Sequence, residues 1–185
     1  MNRFCGLERK AGDCHDNLDG AFRMISFQKT SIGRIGLEEV DGALARFYFE
    51  TDRVPADAVA GESPLLAEAF RQIDAYLRGE LDRFTIPLAP AGTPFMQRVW
   101  ELLSAIPYGC EATYRQIAEA SGNIRAVRAV GTACRKNPLP VFIPCHRVVG
   151  SDGHLTGYRG GLAIKHALLD LESRNRKRNP LPEDK

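Results

Sequence analysis

The run Ile143-Pro144-Cys145-His146-Arg147-Val148 sets a thiol beside an imidazole and a guanidinium. Proline fixes φ and lacks a backbone donor, so Pro144 stiffens the chain just before the cysteine and argues against a central strand or helix interior. A stiff bend can aim a thiol in one direction, and the two cationic or protonatable residues after it are expected to favour the thiolate. The thiolate is the nucleophile, so the run points to attack on an electrophile. The competing reading of any single cysteine is a small buried hydrophobe. A hydrolase built on Cys145, His146 and Glu172 is disfavoured, because side chains of adjacent residues diverge and rarely meet directly.

A second chemical feature lies just upstream, in a helix expected from Arg125 to Lys136. With Arg128 at zero and a step of about 100° per residue, Arg125 falls near roughly +60°, Thr132 near +40°, Arg135 near −20° and Lys136 near +80°. Ala126, Val127, Val130, Ala133 and Cys134 take the opposite arc, which makes Cys134 a core residue. No acidic residue interrupts the basic face. A slender cationic face suits a nucleic-acid groove, where cations meet phosphates. The competing reading is an ordinary solvated surface.

Both features need elements to position them. Phe22 to Phe27 alternates, Ser31-Ile32-Gly33 punctuates, and Ile35 to Val40 and Ala43 to Phe49 flank Asp41-Gly42, a strong hairpin signal. Three antiparallel strands are expected. Val54 to Gly61 reads as a connection. Ser63-Pro64 opens a helix with Leu66, Phe70, Ile73 and Leu77 on one face, closed by Gly79. Leu81 to Gly92, with Pro87 and Pro90, reads as a linker at a domain boundary. Thr93-Pro94 starts a helix with Phe95, Val99, Leu102, Leu103 and Ile106 on one side. Thr113 to Ala120, the turn Ser121-Gly122-Asn123 and the basic helix then make a helix-turn-helix pattern, stopped by Asn137-Pro138. Val148-Val149, the turn Ser151 to His154 and Leu155-Thr156 read as a small hairpin or wing. Gly161 to Glu172 is a final amphipathic helix. The division is residues 1–20 as an extension, 21–90 and 91–173 as two domains, and 174–185 as a basic tail.

The 185 residues suit one or two small domains, and 44% hydrophobic content supplies a core. No apolar run approaches the ~20 residues that span a bilayer. Met1 to Asp16 is polar, with Glu8, Asp13 and Asp16, unlike a signal peptide. Five cysteines (Cys5, Cys14, Cys110, Cys134, Cys145) are an odd number without disulfide-like spacing, so a reducing cytoplasm is expected. The net charge of +2 names no partner by itself.

Pro144-Cys145-His146-Arg147-Val148, preceded by Arg125 to Asn137-Pro138 and followed by Gly157-Tyr158 and Gly160-Gly161, resembles the O6-alkylguanine-DNA alkyltransferase family, the methylated-DNA–protein-cysteine methyltransferases. The likeness is close from Thr93 to Glu172 and looser from Phe22 to Thr85. It implies an α+β fold: an N-terminal ribonuclease-H-like α/β domain and a C-terminal helical domain with a winged helix-turn-helix. It also implies direct-reversal DNA repair. Such a protein binds the minor groove of double-stranded DNA and flips an O6-alkylguanine out of the stack. It then moves the alkyl group irreversibly onto its own cysteine, once per molecule. O4-alkylthymine is an expected slower substrate, and no cofactor is expected. The free protein is expected to be a monomer, away from membranes.

The resemblance also implies roles. Cys145 is the acceptor, His146 polarises a water that takes the thiol proton, and Glu172 holds the histidine. Asn137 ties the helix-turn-helix to the active-site turn, and can equally be read as a helix C-cap. Tyr114 helps rotate the nucleotide and protonates the leaving base, and Arg128 fills the space the base leaves. Arg125, Thr132 and Arg135 join Arg128 on DNA. Val148, Tyr158 and Arg159 form the base pocket. Arg159 stands where some members carry a small hydroxyl residue, which implies a pocket mouth of different width and charge. The early zinc candidates Cys5, Cys14 and His15 lack paired spacing, so no metal is expected. The alternative from another class is a damage sensor that binds without transfer; such relatives lack the acceptor cysteine.

Overall fold

Two hairpin turns build the first layer. Asp41 and Gly42 both take positive φ (50° and 78°), the geometry that matches the twist of flanking strands. In a computed structural model, which describes residues 23–56 and 58–178 (side chains of 177 and 178 excepted), β1 is Arg23–Thr30, β2 is Gly33–Val40 and β3 is Ala43–Phe49. They pair antiparallel throughout, as the alternation and turns predict. The sheet order is β3-β2-β1-β4, where β4 (Val59–Ala60) runs parallel to β1. Sequence reading took this segment for a connection. Two exposed residues at a sheet edge leave no hydrophobic signature.

Helix α1 (Pro64–Leu77) follows its Ser63 cap, whose side chain accepts from the Leu66 amide. It buries Leu66, Phe70 and Ile73 against the sheet, but its last inward residue is Tyr76 and not Leu77, which is half-buried. The expected linker is no free tether. Leu88 bridges to Leu44, with Leu44 donating to Pro87 and Ala89 donating back at 2.9 Å each, and Ile86 is buried. The segment therefore lies along the edge of β3.

Helix α2 is Pro94–Ser104. It buries Val99, Trp100 and Leu103, while Phe95, expected inside, is exposed. Trp100 claims the inward position because its indole N–H reaches Ala133 O at 3.0 Å, tying α2 to the helix beyond. Short strand β5 (Ala112–Thr113) leads into α3 (Tyr114–Ala120), capped reciprocally by Thr113 and Gln116. Gly122, at φ 89°, takes the left-handed position that ends α3, with Asn123 donating back to Ala118 O. Asn123 then caps a 3-10 turn, Ile124–Ala126, before α4 (Val127–Arg135). The basic stretch is thus a turn plus a helix.

Beyond the 3-10 turn Cys145–Arg147, β6 (Val148–Val149) pairs parallel with β5. This corrects the expected hairpin with Leu155-Thr156. The turn at Ser151 to His154 is present, closed by Gly150 donating to His154 O, but Leu155-Thr156 forms no strand. Helix α5 (Leu162–Arg178) continues past Glu172, so residues 174–178 of the expected tail are helical. One cluster of buried side chains runs through both halves, from Ile35 and Phe47 to Trp100, Cys145 and Leu168.

Candidate functional site

Between α4 and Pro144 the chain runs Asn137-Pro138-Leu139-Pro140-Val141-Phe142-Ile143. Val141 sits at φ 75°, a costly conformation for a β-branched residue. Asn137 holds the segment in that shape. Its Nδ2 donates to Ile143 O (2.8 Å) and its Oδ1 accepts from Leu139 N (3.0 Å). The bend presents Cys145 on the wall of an open cavity of about 730 Å³. Tyr114, Arg128, Arg135, Thr132, Tyr158 and Arg159 line the same cavity, with Gly131, Val127 and Cys134.

Val127, expected on the inward arc, is 37% exposed. Both it and Cys134 fall on the flank of α4, at about −100° and −120° from Arg128, and that flank borders the cavity. Cys134 is half-buried against the core and also lines the cavity, with its thiol pushed up to about 12, chiefly by burial. Arg128, Thr132 and Arg135 are exposed along one face of α4, and Arg125 is exposed on the 3-10 turn before it. Across the opening, Thr156 donates to the Tyr114 hydroxyl at 2.9 Å. The Tyr158 hydroxyl is buried without a partner among the described residues.

Cys145 is 5% exposed. Burial pushes its thiol above the ordinary range, against opposing pulls from the Asn137 side chain, Lys165 and Arg159. This corrects the expected stabilised thiolate. Arg147, the neighbouring cation, is spent elsewhere. Its Nε and Nη2 meet Glu172 at 2.9 Å, and its Nη1 donates to Ile106 O at 2.6 Å. The thiol therefore rests protonated.

His146, next in the chain, is fully buried. Its Nε2 lies 2.8 Å from Glu172 Oε1, while its Nδ1 has no partner among the described residues. Burial holds the imidazole below 6.5 despite Glu172, so it is neutral at pH 7. Burial also pushes the Glu172 carboxyl up, but bonds from His146 and Arg147 outweigh it and leave the acid at about 2. Gly109 N and the Tyr76 hydroxyl complete the carboxylate's shell at 2.8 and 2.5 Å.

Sequence reading missed Tyr76, Lys165 and the true partner of Arg147. Lys165 is 0% exposed, donating to Val148 O (2.6 Å) and Thr156 O (3.2 Å). A signal existed for it: Lys165, Leu168 and Glu172 follow helical spacing, a polar pair on a buried stripe. Arg159 lines the cavity, but its guanidinium does not stand free at the mouth. Its guanidinium turns inward to Asn137 O (3.1 Å) and Phe47 O, beside Asp52 at 3.5 Å. Val148, expected in the base pocket, is buried at the start of β6 with its carbonyl taken by Lys165, and it does not line the cavity. Cys5, Cys14 and His15 lie outside the described residues. Among the described residues no cluster of three or more His, Cys, Asp or Glu could hold a metal ion, and no helix is long and apolar enough to cross a membrane.

Residues 94–174 match the family model of the 6-O-methylguanine DNA methyltransferase DNA-binding domain. A methylated-DNA–protein-cysteine methyltransferase of Methanosarcina barkeri is 51% identical over 140 residues, 76% of this chain and 86% of its own. The constitutive enzyme of Bacillus subtilis is 40% identical over 151 residues, 78% and 92% of the two chains. The Mycobacterium tuberculosis OGT structure in complex with DNA superposes with a TM-score of 0.77 at 37% identity, covering 82% of this chain and 94% of that one.

Proposed function

The chain belongs to the methylated-DNA–protein-cysteine methyltransferase family, and from that premise we propose that it repairs DNA by moving an alkyl group from O6 of guanine onto Cys145. The observation that carries the reading is Cys145 on the wall of an open cavity beside the basic helix α4, backed by His146 and Glu172.

The exposed face of Arg125, Arg128, Thr132 and Arg135 meets the minor groove of duplex DNA, cations against phosphates. The damaged nucleotide turns out of the stack, because its O6 substituent is unreachable inside it. Arg128 fills the space it leaves, and Tyr114 guides the rotation. The base enters the cavity against Tyr158 and the backbone of Arg159, on a wall that Asn137 keeps in shape. A water between Cys145 Sγ and His146 Nδ1 relays the thiol proton to the imidazole, and Glu172 steadies the imidazolium that forms. Sγ attacks the alkyl carbon, the S–C bond forms, the C–O6 bond breaks, and Tyr114 gives its hydroxyl proton to the leaving guanine; water then reprotonates Tyr114 as the imidazolium gives its proton up to water. A soft sulfur nucleophile suits displacement at an sp³ carbon. The thioether does not reverse, so each monomer acts once. O4-alkylthymine would react by the same displacement, more slowly.

Intact-protein mass after incubation with a duplex carrying one O6-methylguanine tests this. A stoichiometric gain of one methyl group, mapped to Cys145 and absent in Cys145→Ser, is expected. Damage binding without a mass change would leave a sensor in place of a transferase.

A further inference from the structure

Tyr76 belongs to α1, in the half of the chain that carries neither the acceptor nor the basic helix, yet its hydroxyl ends inside the catalytic cluster. The residue is 0% exposed. Its hydroxyl donates to Glu172 Oε1 at 2.5 Å, and the same oxygen lies 3.3 Å from His146 Nε2. A tyrosine hydroxyl has one proton. With that proton committed to Glu172, the oxygen offers His146 only lone pairs. Nε2 therefore faces two acceptors, Tyr76 Oη and Glu172 Oε1, and must itself carry the hydrogen. The bare nitrogen is then Nδ1, the one without a protein partner.

We propose that Tyr76 is a positioning residue for alkyl transfer, holding His146 in the tautomer whose Nδ1 can accept a proton and moderating the pull of Glu172 on it. The inference rests on the transferase reading. Removing the hydroxyl strips Glu172 of a donor, so its negative charge bears harder on His146 and favours the imidazolium, which is no base. The other groups facing this cluster stay: Arg147 from the same turn as His146, and Lys165 from α5. Tyr108 packs edge-on to the Tyr76 ring at 5.9 Å and touches neither reacting atom. Burial and the neighbouring carboxylate both keep the Tyr76 hydroxyl protonated.

The test is the single-turnover rate of methyl transfer from a duplex with one O6-methylguanine, measured across pH for the full chain and for Tyr76→Phe. The acidic limb of the variant's profile should move up by about one pH unit, so that its rate is roughly tenfold low on that limb and recovers at alkaline pH. A uniform loss at every pH would mean a merely structural tyrosine and would overturn the inference, as would an unchanged profile. If the wild type transfers nothing, the functional reading itself fails. Nitrogen-15 spectra of the wild type, with the signal assigned by its loss in His146→Gln, give a second readout that needs no Tyr76 variant. Protonated Nε2 with bare Nδ1 is expected, and the reverse tautomer would sink the idea.

Discussion

At the scale of single residues, the centre is a set of charges removed from water. Glu172 is fully buried and bound by Arg147, His146, Tyr76 and a backbone amide. Breaking one partner of such a pair costs more than the pair itself contributes, because the surviving charge is stranded. Glu172→Gln should lower unfolding free energy by about 3–5 kcal/mol, read from urea denaturation, with Arg147 left uncompensated. The same groups set the response to acid. His146 is held below 6.5 and Glu172 falls from 4.5 to about 2. Both folded values are depressed, so both contributions are present above the unfolded values and are lost as pH falls through the folded ones. The urea midpoint should decline from pH 6.5 downward. Glu172→Gln should flatten the lower part of that decline, between 4.5 and about 2; an equal slope in the variant would assign the acid sensitivity to other carboxylates.

Elements meet where β3 reaches the loops around the cavity. Phe47 N donates to Pro138 O at 2.8 Å, Arg159 bonds Phe47 O and Asn137 O, and Gly160 lies against the Phe49 ring. A Cβ on Gly160 would sit 2.5 Å from that ring. The ring is packed by Phe47 and Tyr158, at centroid distances of 4.8 and 5.9 Å, and has nowhere to retreat. Gly160→Ala should therefore destabilise by about 1–3 kcal/mol in thermal or urea unfolding, through overpacking. The structure of this joint was hidden in the sequence. Arg159 was legible as an unusual residue in the expected pocket, but not as a tie to a strand more than a hundred positions earlier, since no local pattern encodes a bond to Phe47 O. The helix-turn-helix was legible because Thr113, Gly122 and Asn123 act on their own neighbours.

Over the whole molecule, net charge is small and its placement decides. At +2 the chain is nearly neutral, yet Arg128 and Arg135 share one exposed face of α4 beside the cavity, with Arg125 exposed on the turn before it. Under the proposed DNA-bound reading, each cation set on a phosphate releases counterions. Replacing Arg125 or Arg135 with alanine should reduce the slope of log affinity against log salt by about one, measured by fluorescence anisotropy on a duplex. Lys29→Ala, an exposed cation on β1 in the other half, should leave the slope unchanged. Equal effects from all three would point to diffuse attraction without a docking face.

By itself the sequence determined what local physics controls. The three strands follow from alternation and the Asp41-Gly42 turn, the helix starts from Ser63-Pro64 and Thr93-Pro94, and the stiff bend at Pro144 from the proline ring. It marked Cys145 and His146 by their spacing, and Glu172 only through the family resemblance. Tertiary structure decided the ionisation of the site and its scaffolding. Arg147 turns to Glu172 and leaves the thiol protonated, Tyr76 enters from a distant helix, and β6 pairs with β5 in place of a hairpin. These outcomes depend on burial and on partners far apart in the chain. Desolvation reverses the effect that neighbouring charges have on a solvated peptide, and only the folded chain desolvates them.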